Sequence, residues 1–205
     1  MMLKADHIAD LLEGGNNINE KDPLVITPSP DLCALKKSGA ASVDLRLGCW
    51  FVTLRNLRIS HLTINDSTSD EPQEQITKMQ YVPFGTEYYL HPRSFVLGVT
   101  LEWLRIPKDL GGYIVGRSRW GRRGLVIATA AGVHPGFTGC LALELSNLGE
   151  IPIAIKPGMT ISQLFLHQAI GAQAYVDKST FIGTRKPILG QLQSDETAMK
   201  LATPL

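Results

Sequence analysis

Between residues 116 and 124 the chain reads Gly116-Arg117-Ser118-Arg119-Trp120-Gly121-Arg122-Arg123-Gly124, which places four arginines within seven positions. Guanidinium groups present forked donors that match phosphate oxygens. Ser118 adds a hydroxyl donor, and the flanking glycines permit close backbone approach. A polyphosphate suits such a cluster. A solvated basic turn, or a strip that meets acidic side chains of another subunit, has the same composition. A long nucleic acid does not fit, because Trp120 is the single aromatic interleaved with the arginines and no second basic cluster follows.

Two further segments carry chemistry. In Cys140-Leu141-Ala142-Leu143-Glu144-Leu145-Ser146, strand alternation sets Leu141, Leu143 and Leu145 on one face. Cys140, Ala142, Glu144 and Ser146 take the other, so one carboxylate stands among small side chains with room for a ligand. Glu144 is thereby a candidate for proton transfer, although a solvent-facing strand glutamate has the same pattern. In Ala130-Ala131-Gly132-Val133-His134-Pro135-Gly136-Phe137-Thr138-Gly139, small residues lead into a tight turn. They form either a floor for a planar ring or a simple hairpin connection. His134 is a possible ligand contact or a surface residue of that turn.

These segments need elements to hold them. The chain has 205 residues, of which 44% are hydrophobic and 19% charged, so a packed globule is expected. The net charge of +1 leaves no whole-molecule field for a long polyanion. With 19 Gly and 12 Pro, short strands and turns are favoured over long helices. A short helix is expected over 5–13, then an irregular arm to residue 41. Val43 to Leu54 reads as β structure interrupted at Gly48, and 65–75 as a polar surface loop. Strands are expected at Tyr88–Leu90, Phe95–Leu101, Gly112–Val115, Leu125–Ala130, Cys140–Ser146, Ile151–Ile155 and Thr160–His167. The reading is one domain over 1–205, with the N-terminal helix and arm at 1–41, a core at 42–170 and a C-terminal arm at 171–205. Three scattered cysteines, no basic-then-apolar leader and no run of about 18 apolar residues point to a cytoplasmic protein without a membrane span.

Zinc nucleoside deaminases carry H-x-E followed by P-C-x-x-C. Here His91 and His134 each precede proline and no cysteine pair exists. A hydrolytic deamination by this chain would therefore activate water with a carboxylate, a hydroxyl and backbone carbonyls.

The order of several motifs resembles the dCTP deaminase branch of the dUTPase-like superfamily. They are Ser42-Val43-Asp44-Leu45-Arg46-Leu47-Gly48, the Gly116–Leu125 segment, Pro135-Gly136-Phe137-Thr138-Gly139 with Leu143-Glu144-Leu145, and Lys156-Pro157-Gly158-Met159 with Gln163-Leu164. The resemblance implies a mainly β fold, a distorted β-barrel with a short N-terminal helix and a C-terminal arm. It implies homotrimers, or hexamers, with sites between subunits. It further implies the reaction dCTP + H2O → dUTP + NH3 without a catalytic metal, Mg2+ accompanying the triphosphate. Carried over by position, Glu144, Ser118 and Arg122 would be catalytic. Arg117, Arg119, Trp120, Gly121, Ala131, His134, Ala142, Leu143, Tyr175 and Arg185 would help to bind substrate, with the backbone near Ala131 supporting the water and residues 142–144 lining the base.

The sequence departs from the family pattern at Arg119 (serine in the family), at His134 (aspartate) and in the lid, where Thr180, Phe181 and Thr184 replace Lys, Tyr and Gln. The family aspartate serves as base in dUTP hydrolysis, so His134 favours deamination. The other readings are a dUTP diphosphatase or bifunctional enzyme, and a deoxynucleotide-binding homologue without turnover.

Overall fold

Alternating burial along β-rich stretches sets the architecture. The structure, a computed structural model, describes residues 1–14, 22–55, 76–128, 132–171 and 183–190. Helix α1 (Ala5–Leu12) buries Ala5, Ile8 and Ala9, the i, i+3, i+4 stripe of an amphipathic helix, and stops before Gly14 at φ 76°. Lys36, in helix α2 (Leu32–Lys37), reaches back to Asp10 at 2.9 Å and Glu13 at 2.7 Å, and Asp31 caps α2 by accepting from the Ala34 N–H at 3.0 Å. The arm expected to be irregular thus contains both α2 and strand β1 (Val25–Thr27).

The remaining strands are β2 (Val43–Arg46), β3 (Trp50–Leu54), β4 (Thr77–Tyr81), β5 (Tyr88–Leu90), β6 (Phe95–Arg105), β7 (Leu110–Gly116), β8 (Leu125–Ala128), β9 (Gly132–Val133), β10 (Thr138–Asn147), β11 (Ile153–Ile155) and β12 (Thr160–Gln168). Most expected strands are present with ends moved by a few residues, and β4 and β9 are additional. The expected loop at 65–75 lies outside the described residues.

One six-stranded antiparallel sheet runs β4-β3-β6-β10-β8, with β1 paired to the far end of β6; a four-stranded sheet runs β2-β12-β7-β9; β11 and β5 form a ribbon. Leu143 and Leu145 of the first sheet and Leu45, Ile114 and Leu164 of the second share one apolar core. A barrel was expected, and that expectation is corrected: among the described residues no sheet closes on itself. The six-stranded sheet ends at β4 and β8, the four-stranded one at β2 and β9. Between β7 and β8 the chain makes the helical turn Ser118–Gly121 instead of a ladder, and β9 is two residues long. Alternation marks which residues are strands; it leaves open which edges meet. Gly116 allows β7 to pass β8 closely, since a Cβ there would lie 3.0 Å from Ile127 Cβ.

A bulge shapes the central pair. Cys140 faces Trp103 while Ala142 faces Val99, so β6 carries two extra residues there. The Thr100 hydroxyl mends the gap, accepting from the Leu141 N–H at 2.9 Å and donating to the Glu102 carbonyl at 2.8 Å. The Glu102 carboxylate, 2% exposed, is satisfied by the Arg46 backbone N–H at 2.8 Å and Nε at 2.6 Å.

Candidate active site

Glu144 sits on β10 between Leu97 of β6 and Ala128 of β8. Leu143 and Leu145 are fully buried, whereas Ala142 is exposed and Glu144 partly buried, as alternation predicts. The carboxylate therefore lies on the outer face of the six-stranded sheet. The described part of β8 ends at Ala128, opposite Glu144. Further along the same edge the C-terminal arm takes over: the Gly183 N–H donates to the Thr138 carbonyl at 2.6 Å, and the Cys140 N–H donates to the Thr184 carbonyl at 2.8 Å.

Backbone groups of alternate residues on an antiparallel strand point to the same side. The Ala142 N–H and C=O thus share the edge used by Cys140 and Glu144, in the interval between the arm and β8. That stretch of backbone edge runs beside a carboxylate, and a planar amide-like edge could pair with it as a strand residue would. Ala142, Leu143 and Glu144 are brought together here; the Leu143 side chain points into the core, so only its backbone is available.

The basic segment forms a corner between the sheets. The Arg117 N–H donates to the Ile161 carbonyl at 3.1 Å, and its side chain turns to Asp44 of β2, Nη1 to Oδ2 at 2.7 Å. Val43 and Leu45 are buried while Asp44 is exposed, so this pair lies on the outer face of the four-stranded sheet. Trp120 packs against the core, its Nε1–H donating to the Thr160 carbonyl at 2.8 Å, and the Arg119 guanidinium lies over its ring at 5.0 Å. Arg123 donates to the Arg119 carbonyl at 2.8 Å. Ser118, Gly121 and Arg122 are exposed, and Arg122 meets no carboxylate among the described residues.

Within one chain the two halves are apart. Arg117 follows the end of the four-stranded sheet and pairs with Asp44, whereas Glu144 stands on the outer face of the six-stranded one, and among the described residues no hydrogen bond or ion pair joins the two. Arg122 lies three residues before Leu125, which faces Asn147, itself three residues from Glu144. About 10 Å of strand thus separates the Leu125 level from that of Glu144. His134 is exposed in the turn before β10, its carbonyl accepting from the Phe137 N–H at 3.1 Å. Ala131 and Tyr175 lie outside the described residues, as do Thr180 and Phe181 of the lid.

Arg185 lines an open cleft of about 550 Å³ on the six-stranded sheet, with Trp50, Tyr81, Trp103, Cys49 and Cys140. Lys186 caps Trp50, its Nζ 4.1 Å from the ring centre. Burial pushes the Cys140 thiol above its ordinary value, with Arg185 working against that and Glu102 adding to it. Burial likewise raises Cys49, opposed by a hydrogen bond with Tyr81. Sequence reasoning missed this cleft because its residues come from five separate stretches. It also assigned no role to Asp44, although that residue stands in a quoted motif; only its contact with Arg117 marks it out. Among the described residues no group of three or more His, Cys, Asp or Glu side chains forms a metal cage, and no helix is long and apolar enough to cross a membrane.

The dCTP deaminase-like family model matches residues 3–169. A dCTP deaminase of Halorubrum lacusprofundi is 42% identical over 165 residues, covering 80% of this chain and 75% of that protein. A "dCTP deaminase, dUMP-forming" of Mycolicibacterium paratuberculosis is 34% identical over 178 residues, 86% of this chain and 85% of that protein. Among solved structures, the 2'-deoxycytidine 5'-triphosphate deaminase of Agrobacterium tumefaciens superposes with a TM-score of 0.56 over 80% of this chain and 46% of that one, at 20% identity, which shows a shared fold.

Proposed function

The chain belongs to the dCTP deaminase-like family, and on that premise we propose that it hydrolyses the exocyclic amine of dCTP, dCTP + H2O → dUTP + NH3. The observation that carries this reading is the place of Glu144, a partly buried carboxylate on the outer face of β10, two residues along the same face from the exposed Ala142. The backbone N–H and C=O of Ala142 would offer the donor–acceptor pair that matches the edge of a pyrimidine. A base seated there would bring its C4 towards the Glu144 carboxylate. Glu144 would take a proton from the attacking water and deliver it to the departing amine, so one group serves as base and then acid. Ser118 and Arg122 would complete the pocket, and Arg117 with the exposed face of the basic turn would hold the phosphates. Mg2+ would enter with the triphosphate as part of the substrate.

Because the phosphate half and the acid–base half belong to different sheets and among the described residues no hydrogen bond or ion pair joins them, the complete site would form between copies, and a homotrimer would supply it. A second reading has its own support: relatives named "dCTP deaminase, dUMP-forming" are 34% to 43% identical to this chain. On that reading dUTP goes on to dUMP and pyrophosphate. Incubation with dCTP and Mg2+, and separately with dUTP, while following ammonia and pyrophosphate, decides the matter. Ammonia alone from dCTP supports deamination to dUTP. Ammonia with pyrophosphate supports the dUMP-forming reaction, and neither product refutes both.

A further inference from the structure

We propose that Asp44 is a positioning residue that aims the Arg117 guanidinium at the substrate phosphates, an inference resting on the nucleotide-binding reading above. Arg117 leaves the end of β7 and crosses β12 to meet Asp44 on β2, Nη1 to Oδ2 at 2.7 Å. A long side chain at a strand end has many rotamers, and an ion pair anchored two strands away selects one. Only Nη1 is bonded to Asp44, so the remaining donors of the planar fork stay available for an anion.

Asp44 lines a groove together with Asp31, Arg46 and Glu102, and the other charges there are already engaged. Glu102 binds Arg46 through Oε1 at 2.6 Å, and Asp31 caps α2 through the Ala34 N–H at 3.0 Å. Among the described residues Asp44 is therefore the counter-charge of Arg117. It is also the carboxylate that meets the basic turn, since Arg119 lies over Trp120 and Arg123 donates to a backbone carbonyl. Asp44 is itself fixed by a ladder: its strand neighbour Gln163 donates through Nε2 to the Ser42 hydroxyl at 3.1 Å. With side-chain exposures of 27% for Arg117 and 46% for Asp44, the pair is too wet to be a stability device. Orientation of a cation is the use that remains.

The opposite role, a carboxylate that competes with phosphate for Arg117, predicts the opposite sign, so one variant separates them. Dissociation constants for Mg–dCTP from titration calorimetry, and KM and kcat from ammonia release, would be measured for wild type, Asp44→Ala, Arg117→Lys and the double variant. Asp44→Ala is expected to raise Kd and KM about tenfold, the scale of one lost charge-assisted contact, with kcat within about twofold. In the Arg117→Lys background the same change should add little, because the fork it orients is gone. An unchanged or lowered KM, a fall in kcat alone, or full additivity of the two variants overturns the proposal. If Asp44→Ala melts early, Asp44→Asn, which keeps shape and removes charge, supplies the same comparison. A wild type that binds Mg–dCTP without releasing ammonia sinks the deamination reading while the Kd ratio still judges Asp44. A wild type that binds no nucleotide sinks both.

Discussion

At Glu144 a carboxylate on a central strand faces outward, and its chemistry is separable from binding. Glu144→Gln keeps shape and hydrogen-bonding reach, so dCTP affinity should stay near wild type while ammonia release falls roughly 10²–10⁴-fold. Equal turnover would refute the acid–base assignment. Gly121 tests the basic turn differently. A Cβ built there meets nothing within 4 Å among the described residues. Gly121→Ala should leave the melting temperature unchanged, yet weaken Mg–dCTP binding if phosphates lie against that backbone. The thiols report on burial: Cys33 is exposed, Cys49 and Cys140 buried, with both buried thiols raised above their ordinary value. A raised value means less thiolate at a given pH. A disulfide reagent near pH 8 should therefore modify Cys33 first, and the other two should react faster as pH climbs through the alkaline range. Rapid reaction of all three at pH 8 would contradict the structure.

The elements explain why these residues reach their places. Leu141, Leu143 and Leu145 carry β10 into the core, and the period of two then obliges Glu144 to face outward. That orientation was legible from residue types alone. The meeting of β10 with the C-terminal arm was not, because it depends on which distant segment reaches Thr138 and Cys140. Gly139 is the hinge of that junction. At φ 140°, its Cβ would stand 3.2 Å from the Thr184 carbonyl and 3.3 Å from the Gly183 nitrogen. Gly139→Ala should loosen the arm, seen as faster proteolytic clipping near residue 183 and a higher KM for dCTP, while the sheet survives. The helical turn Ser118–Gly121 has a comparable history. Its arginines read as a phosphate cluster, but Trp120 is its anchor, holding the turn to β12 through the Thr160 carbonyl.

For the whole molecule, the separation of Arg117 and Arg122 from Glu144 makes subunit sharing testable. On the proposed sharing of sites between copies, Glu144→Gln and Arg122→Ala proteins, each deficient alone, should regain ammonia release when unfolded and refolded together, since a mixed oligomer would contain sites with both wild-type halves. No recovery in mixed oligomers would place each site within one chain. The sequence by itself determined the strand-rich composition, the outward carboxylate, the cationic turn and the family, because each is written in local alternation, residue chemistry or motif order. Tertiary structure alone decided that no sheet closes among the described residues, that the arm borders β10, that three aromatic residues converge on one cleft and that Asp44 holds Arg117. Those depend on which distant edges and side chains meet, and pairing across 73 positions, as between Asp44 and Arg117, leaves no periodic trace in the chain.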